Sequence, residues 1–277
     1  MMVLCLAFAM TVSAQVKAPQ PSPFTKVEQK VGLTDVTLEY SRPGVKGRTI
    51  FGDLVPLDKM WRTGANKNSI ITFSSDVMVA GNKVPAGSYA IFAKPSKQTW
   101  EVNFYSDTEN WGTPENWDAT KVGATVSART MKLADKVESF TMSIDNLSDS
   151  AADLSISWEN TKVVIPMTVP TDDMVMASIE KTMAGPSSND YYTAGRYMRE
   201  SGKDYNKSLE MINKSIEMRG EEKFWMVRQK ALTLAKLGRY KDAIQAAEKS
   251  IELAKVAGND DYVRNNTKSI AEWTKMK

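Results

Sequence analysis

Along residues 24–170 apolar positions alternate with polar ones in short runs, and beyond residue 170 the spacing changes to the threes and fours of helices. Thr34–Tyr40 (TDVTLEY) puts Val36, Leu38 and Tyr40 on one face of a strand. Ser69–Val79 begins as a strand around Ile70, Thr72 and Phe73 and resumes at Val77–Val79, before a turn at Ala80-Gly81-Asn82-Lys83. Ser88–Ala93 and Thr99–Tyr105 read as a hairpin across Lys94-Pro95-Ser96-Lys97. Further strands are expected at Lys121–Thr130, Ser139–Ile144, Leu154–Trp158 and Thr161–Val169. About eight strands with short, turn-rich links predict an antiparallel β-sandwich over residues 24–170.

Thr171–Gly185 (TDDMVMASIEKTMAG) carries its own helix punctuation. Thr171 caps it, Asp172 and Asp173 suit its positive N-terminus, and Gly185-Pro186 ends it. Residues 171–186 are therefore expected to be a connecting helix and linker. Residues 187–277 contain no proline and repeat with a period of 35: Lys214-Ser-Ile-Glu217 recurs as Lys249-Ser-Ile-Glu252, and Tyr205 matches Tyr240. Gly202 and Gly238 precede the two tyrosines, placed to separate helices. The run Leu237-Gly-Arg-Tyr-Lys-Asp-Ala-Ile244, followed by Ala247 and Ser250, resembles the tetratricopeptide repeat, in which small residues let paired helices approach. Ser208 replaces the alanine expected in the first copy, and Tyr262–Trp273 reads as a capping helix. The predicted class is multidomain, all-β plus all-α: a β-sandwich followed by a tetratricopeptide-like α-hairpin array. Its helical groove is expected to hold a protein partner.

Composition narrows the chemistry. A formal charge of +3, split as −2 over residues 1–186 and +5 over 187–277, is too balanced to argue for nucleic acid or an anionic membrane surface. The chain has no histidine, which excludes His-ligated metals, imidazole acid/base catalysis and Ser-His-Asp or Cys-His nucleophile systems. Residues 1–14 (MMVLCLAFAMTVSA) are apolar and uncharged and end in Val12-Ser13-Ala14, so we expect a secretory signal cleaved before Gln15. It lacks a basic n-region, which places its true beginning upstream of Met1. The sole cysteine, Cys5, lies within it, so the mature chain would have no thiol, no disulfide and no thiolate metal site. Residues 15–23, with Lys17–Pro23 as KAPQPSP, read as a Pro-rich tether that does not pack. The expected protein is extracytoplasmic, periplasmic or secreted. It has no integral membrane segment in the mature chain, no metal and no cofactor.

Two constellations carry candidate ligand chemistry. Arg42, Lys46, Arg48, Lys59, Arg62 and Lys67 lie close together with Tyr40, Phe51, Trp61 and several glycines. Arginine offers a planar fork for carboxylate or phosphate, and tryptophan a stacking face. Arg42, Lys46, Arg48, Trp61, Arg62 and Asn66 are the candidate anion-site residues. The bland alternative pairs the arginines with Asp53, Asp58 and loop carbonyls to pin a long connection. Glu109-Asn-Trp111 and Glu115-Asn-Trp117 set two indoles six residues apart, as saccharide-stacking loops do; otherwise both indoles plug the end of the sandwich. No phosphate loop, nucleophile elbow or metal-spaced carboxylate cluster is present. The leading expectation is a non-enzymatic binding or scaffold protein for an anionic or saccharide ligand. The alternative is a secreted hydrolase of saccharides or peptides using two carboxylates.

The segments Tyr40-Ser-Arg-Pro43, Lys46-Gly-Arg-Thr-Ile-Phe-Gly52, Leu54-Val-Pro56, Trp61-Arg-Thr-Gly-Ala-Asn66, Val84-Pro-Ala-Gly-Ser-Tyr89 and Trp158-Glu159 resemble those of the family known as domain of unknown function 2911. The resemblance covers roughly residues 24–170. It implies a mostly secreted, mostly Gram-negative protein with tetratricopeptide-like helices behind the β domain, and it implies no activity. Lys67 departs from it, standing where an acidic residue is expected.

Overall fold

Residues 18–183 and 185–276 are described by the computed structural model. Nine strands form one antiparallel sheet: β1 (Phe24–Val31), β2 (Thr34–Ser41), β3 (Ile70–Phe73), β4 (Val77–Val79), β5 (Asn82–Val84), β6 (Gly87–Pro95), β7 (Thr99–Tyr105), β8 (Val122–Asp145) and β9 (Ala151–Thr168). Their spatial order is β1-β2-β3-β6-β7-β8-β9-β4-β5. The long strand β8 joins the two layers of the sandwich. Val122–Arg129 pairs with β7, and from Thr130 onward its partner is β9. Alternate residues of both layers, Leu38, Ile71, Ile91 and Phe104 with Phe140, Ile156, Trp158 and Ile165, meet in one buried cluster.

Several expectations change. β1 was not anticipated: its inner positions are only half-buried because it is an edge strand paired with β2 alone, so its alternation is faint in hydropathy. The expected pair Lys121–Thr130 and Ser139–Ile144 is one strand, as is the pair Leu154–Trp158 and Thr161–Val169. Polar residues around Asp135 and Asn160 interrupt the apolar pattern there. Rather than ending, β8 slips register between Lys132 and Val137 and again before Thr141. These bulges absorb extra residues without ending the strand, and Glu159 opposite them takes a left-handed φ of 55°. The tether also packs: Asn66 Nδ2 donates to the Ser22 carbonyl (3.2 Å) and the Arg42 amide to the Pro23 carbonyl (2.9 Å).

Beyond the sheet come α1 (Thr171–Thr182), α2 (Ser188–Glu200), α3 (Tyr205–Arg219), α4 (Phe224–Lys236), α5 (Tyr240–Val256) and α6 (Asp260–Thr274). The 35-residue period appears in the backbone as α3 beginning at Tyr205 and α5 at Tyr240. Gly202 and Gly238 adopt φ of 69° and 71°, which end the preceding helices. Small residues set the approach of paired helices: a Cβ on Gly195 would press on Ile212 and the Ser208 carbonyl, and Ala231, Ala243 and Ala247 are fully buried. Helix α1 ends at Thr182, short of Gly185, and Met176 and Ile179 pack with Ala194, Met198 and Met211. The chain divides into two compact units at Asp172 and Asp173, one β and one helical.

Candidate functional site

Residues 42–69 connect β2 to β3 and build the most chemically loaded surface of the β unit. A connection of this length holds its shape because it carries its own anchors: Val45, Ile50 and Val55 are buried. Its backbone is laced to β8 by Val45 N to the Glu138 carbonyl (2.8 Å) and Phe140 N to the Pro43 carbonyl (2.9 Å). Trp61 is tied to β6 by reciprocal bonds with Ala93 at 2.8 and 2.9 Å. Lys46, Asp58, Thr63 and Asn66 all have positive φ, so the path is bent at several non-glycine positions.

Two rings of this loop, Phe51 and Trp61, pack with Trp100, Phe140 and Trp158 in a cluster of five. Trp61 stacks on Trp158 with ring centres 6.0 Å apart and planes 16° from parallel. It meets Phe140, Phe51 and Trp100 edge-on at 5.5, 6.1 and 6.1 Å. Trp61 is half-buried, whereas Trp158 is 2% exposed. Above the indoles lies a cleft of about 350 Å³, walled by Pro21, Pro43, Leu54 and Val55 and edged by Lys46, Arg48 and Arg62. None of its described lining residues is Asp or Glu. The indole N–H of Trp158 is buried without an acceptor, a cost normally met by a partner.

The candidate cations are disposed differently. Arg42 is a clamp: Nε donates to the Phe140 carbonyl (3.0 Å) and Nη2 to Thr141 Oγ1 (2.8 Å). Arg48 Nε and Nη2 donate to the carbonyls of Val45 (3.0 Å) and Gly44 (2.6 Å). Arg62 Nη1 donates to the carbonyls of Asn66 (3.0 Å) and Trp111. The Lys46 amide binds Glu138 Oε1 (2.8 Å), and its ammonium makes no ion pair among the described residues. Thus the arginines pin loops through carbonyls, and Asp53 and Asp58 take no part. Carbonyls use the donors but leave the positive charge uncompensated. Asn66 serves structure, its amide donating to the Ser22 carbonyl and to Ser41 Oγ (3.1 Å).

The two candidate stacking indoles separate. Trp117 lies against Tyr105 (4.5 Å, 26°) and Phe92 (5.5 Å, edge-on), capping a small cluster on the outer face of the sheet. Trp111 is 70% exposed. Its loop is moored to the cleft's own loop by the Arg62 bond, by Asn68 N to the Asn110 carbonyl (3.0 Å) and by the Lys67–Glu109 ion pair (3.0 Å). Lys67, the departure from the family pattern, therefore has a partner. The sequence reading missed Trp158 and the Pro21–Ser22 wall. Residues this far from the loop in sequence reach it only through tertiary pairing, and the Trp158-Glu159 doublet was the sole signal. Among the described residues, no group of three or more Cys, Asp or Glu side chains could hold a metal ion.

Comparison with known proteins gives one match. The family described as "Protein of unknown function (DUF2911)" matches residues 22–167, which include the aromatic floor, the Trp111 loop and the described cleft lining apart from Pro21. No curated protein and no solved structure matches the chain. The match spans more than half of the chain, and the protein is a member of the DUF2911 family.

Proposed function

We propose that this chain is a non-enzymatic, extracytoplasmic binding protein. In this reading the β unit captures a small anionic ligand in the Trp61–Trp158 cleft, and the tetratricopeptide-like helices engage a protein partner. The observation that carries the first half is the convergence of Lys46, Arg48 and Arg62 on an aromatic-floored cleft whose described lining has no carboxylate. A cavity of about 350 Å³ suits a ligand of one or two rings. The guanidiniums would meet its charge and the Trp61 indole its apolar face. The two-carboxylate hydrolase gains no support from this geometry. Glu138, bonded to the lining residue Lys46, and Glu159, next in sequence to Trp158, are engaged by the Lys46 and Ile50 amides at 2.8 and 3.3 Å.

Partner binding is supported by a groove of about 450 Å³ between α3, α4 and α5, edged by Lys230, Arg239 and Lys249 and by the acidic Glu222 and Asp242. Among the described residues no helix is long and apolar enough to cross a membrane. The expected export signal, residues 1–14, lies outside the described residues. Titration of the full chain with glucuronic acid, glucose and inorganic phosphate, read by tryptophan fluorescence, tests the ligand site. Saturable quenching by glucuronic acid or phosphate that is lost in Arg62→Ala supports it. Equal response to glucose, or hydrolysis of envelope glycans or peptides that one Asp or Glu substitution abolishes without unfolding, refutes it.

A further inference from the structure

The open edge of β1 is long and regular, and its hydrogen bonds fix which backbone groups it presents. Among the described residues β1 pairs with β2 alone, in unbroken register from Phe24 opposite Ser41 to Val31 opposite Thr34. One step further in that register the Arg42 amide donates to the Pro23 carbonyl (2.9 Å), so Pro23 and Arg42 are a hydrogen-bonded pair. Such pairs alternate along an antiparallel ladder. Thr25, Val27, Gln29 and Val31 therefore turn their amides and carbonyls to β2, and Phe24, Lys26, Glu28 and Lys30 turn theirs out of the sheet. The outward Lys30 carbonyl accepts from Gln29 Nε2 (2.9 Å), an exposed side chain of its own strand.

Proteins protect such an edge with a bulge, a proline or an inward-pointing charge. β1 has none of these: its register is continuous, its sequence FTKVEQKV holds no proline, and its inward positions Thr25, Val27 and Gln29 are uncharged and half-buried. The charges of Lys26, Glu28 and Lys30 stand on the outer face, where Phe24 is 62% exposed. The alternation Lys, Glu, Lys on that face is self-complementary. When two copies of β1 run antiparallel about a two-fold axis at Val27, Lys26 lies opposite Glu28 of the second copy, and Phe24 opposite its Lys30. This register engages every outward-facing residue of both strands, each pair exchanging both backbone bonds. A two-fold axis at Glu28 would set Glu28 against itself and Lys26 against Lys30, and one at Lys26 would set that lysine against itself. Like charges directly opposite are destabilising.

We propose that two copies of this chain associate through β1, joining their sheets edge to edge about a two-fold axis at Val27. The outward amides and carbonyls then find partners, Val27 meets Val27 of the second copy on the inward face, and the half-buried Thr25 and Gln29 gain a covering neighbour. The contact is isologous and closed, so it stops at the dimer. A single pair of strands buries less than the roughly 1,200 Å² of a standard interface, so the dimer is weak and reversible, with Kd on the order of 10–100 μM. None of the β1 residues lines the Trp61–Trp158 cleft, and the association does not depend on a ligand there.

The test is sedimentation equilibrium of the full chain between about 5 and 300 μM, a range in which the dimer fraction should rise steeply. Lys26→Glu or Glu28→Lys sets like charges opposite each other twice per dimer and should weaken association about tenfold. The double exchange should restore it, with the melting temperature nearly unchanged in all three. Thiol cross-linking in a Cys5→Ser background reads the register. Val27→Cys should give a disulfide-linked dimer under mild oxidation, because Cα atoms of a non-hydrogen-bonded pair lie about 4.5 Å apart. Gln29 lies opposite Thr25 of the second copy, too far from its own counterpart to be bridged, so Gln29→Cys should not cross-link. A chain that stays monomeric at about 300 μM overturns the proposal and leaves the edge to a strand of a different protein. A dimer indifferent to both charge reversals, or one in which Gln29→Cys cross-links as readily as Val27→Cys, overturns it as well, since the copies then meet through another surface or register.

Discussion

Trp61→Ala separates the two roles that the Trp61 indole combines. The side chain stacks on Trp158 and meets Phe51, Trp100 and Phe140 edge-on. Truncating a fully buried aromatic costs about 3–5 kcal/mol, and each well-oriented aromatic pair contributes roughly 0.5–1.5 kcal/mol beyond its area. Those pair contributions are shared among five rings, so they do not simply add. Trp61 is half-buried with one side on the cleft, and that exposure places the expected loss near the lower end, at about 3 kcal/mol. Trp61→Phe keeps most of the packing and should cost about 1–1.5 kcal/mol. The assay is equilibrium unfolding in urea followed by near-ultraviolet circular dichroism, with the slope of the transition compared between variants. A loss below about 1 kcal/mol for Trp61→Ala at unchanged slope would show that the ring is a free platform and would refute the packing argument. A loss near 3 kcal/mol for Trp61→Ala, together with ligand affinity that drops in Trp61→Phe, is the outcome expected if one indole both closes the core and floors the cleft.

Arg48→Ala removes bonds to the Gly44 carbonyl and to the buried Val45 carbonyl, which keeps the residue-48 amide as a donor (3.1 Å), and should cost at most about 1 kcal/mol in the same assay, whereas Arg62→Ala, which frees the Trp111 loop as well, should cost about 1–2 kcal/mol. Gly32→Ala should be severe, by more than about 3 kcal/mol in denaturant titration, because Gly32 has φ of 55° and an added Cβ would collide with Thr171 Oγ1 and the Asp149 carbonyl. Asp107 is held below the usual carboxylate range, first by its bond to Lys121 and then by the Glu109 amide. Its contribution is therefore present above pH ~4 and lost as pH falls through its lowered folded-state value. Asp107→Asn should accordingly flatten the melting-temperature profile between about pH 5 and 2 and leave its shape above pH ~5 unchanged. Ser187→Ala should destabilise the helical unit by about 1 kcal/mol by thermal melting, since Ser187 and Asp190 form a reciprocal capping box at the start of α2. N-terminal sequencing of exported protein should find Gln15 first; retention of residues 1–14 would end the export reading.

What local sequence determined is what local physics can specify. Alternation placed the inner face of β2, because a half-buried strand must show its period to the core, and the turn residues Lys94-Pro95-Ser96-Lys97 placed the β6–β7 hairpin. Gly202, Gly238 and the 35-residue echo placed the helix breaks, because only a residue tolerant of positive φ ends a helix in that way. The dense group of arginines and aromatics from Arg42 to Asn66 marked the surface where the cleft lies, even though Arg42 and Asn66 became clamps. Tertiary structure decided the rest. Whether an arginine meets a carboxylate or a carbonyl depends on which backbone passes beside it, and Arg42 reaches Phe140 and Thr141 across nearly a hundred residues. β8 and β9 run unbroken through polar stretches because bulges and cross-strand pairing, invisible to hydropathy, carry them. Trp111 and Trp117 share a tripeptide context, yet one lies open and the other is stacked on Tyr105. Trp158, nearly a hundred residues from Trp61, becomes the floor of its cleft only when β9 pairs with β8. Short-range pattern encodes which faces must be hidden; the chain's long-range pairing chooses which side chains meet.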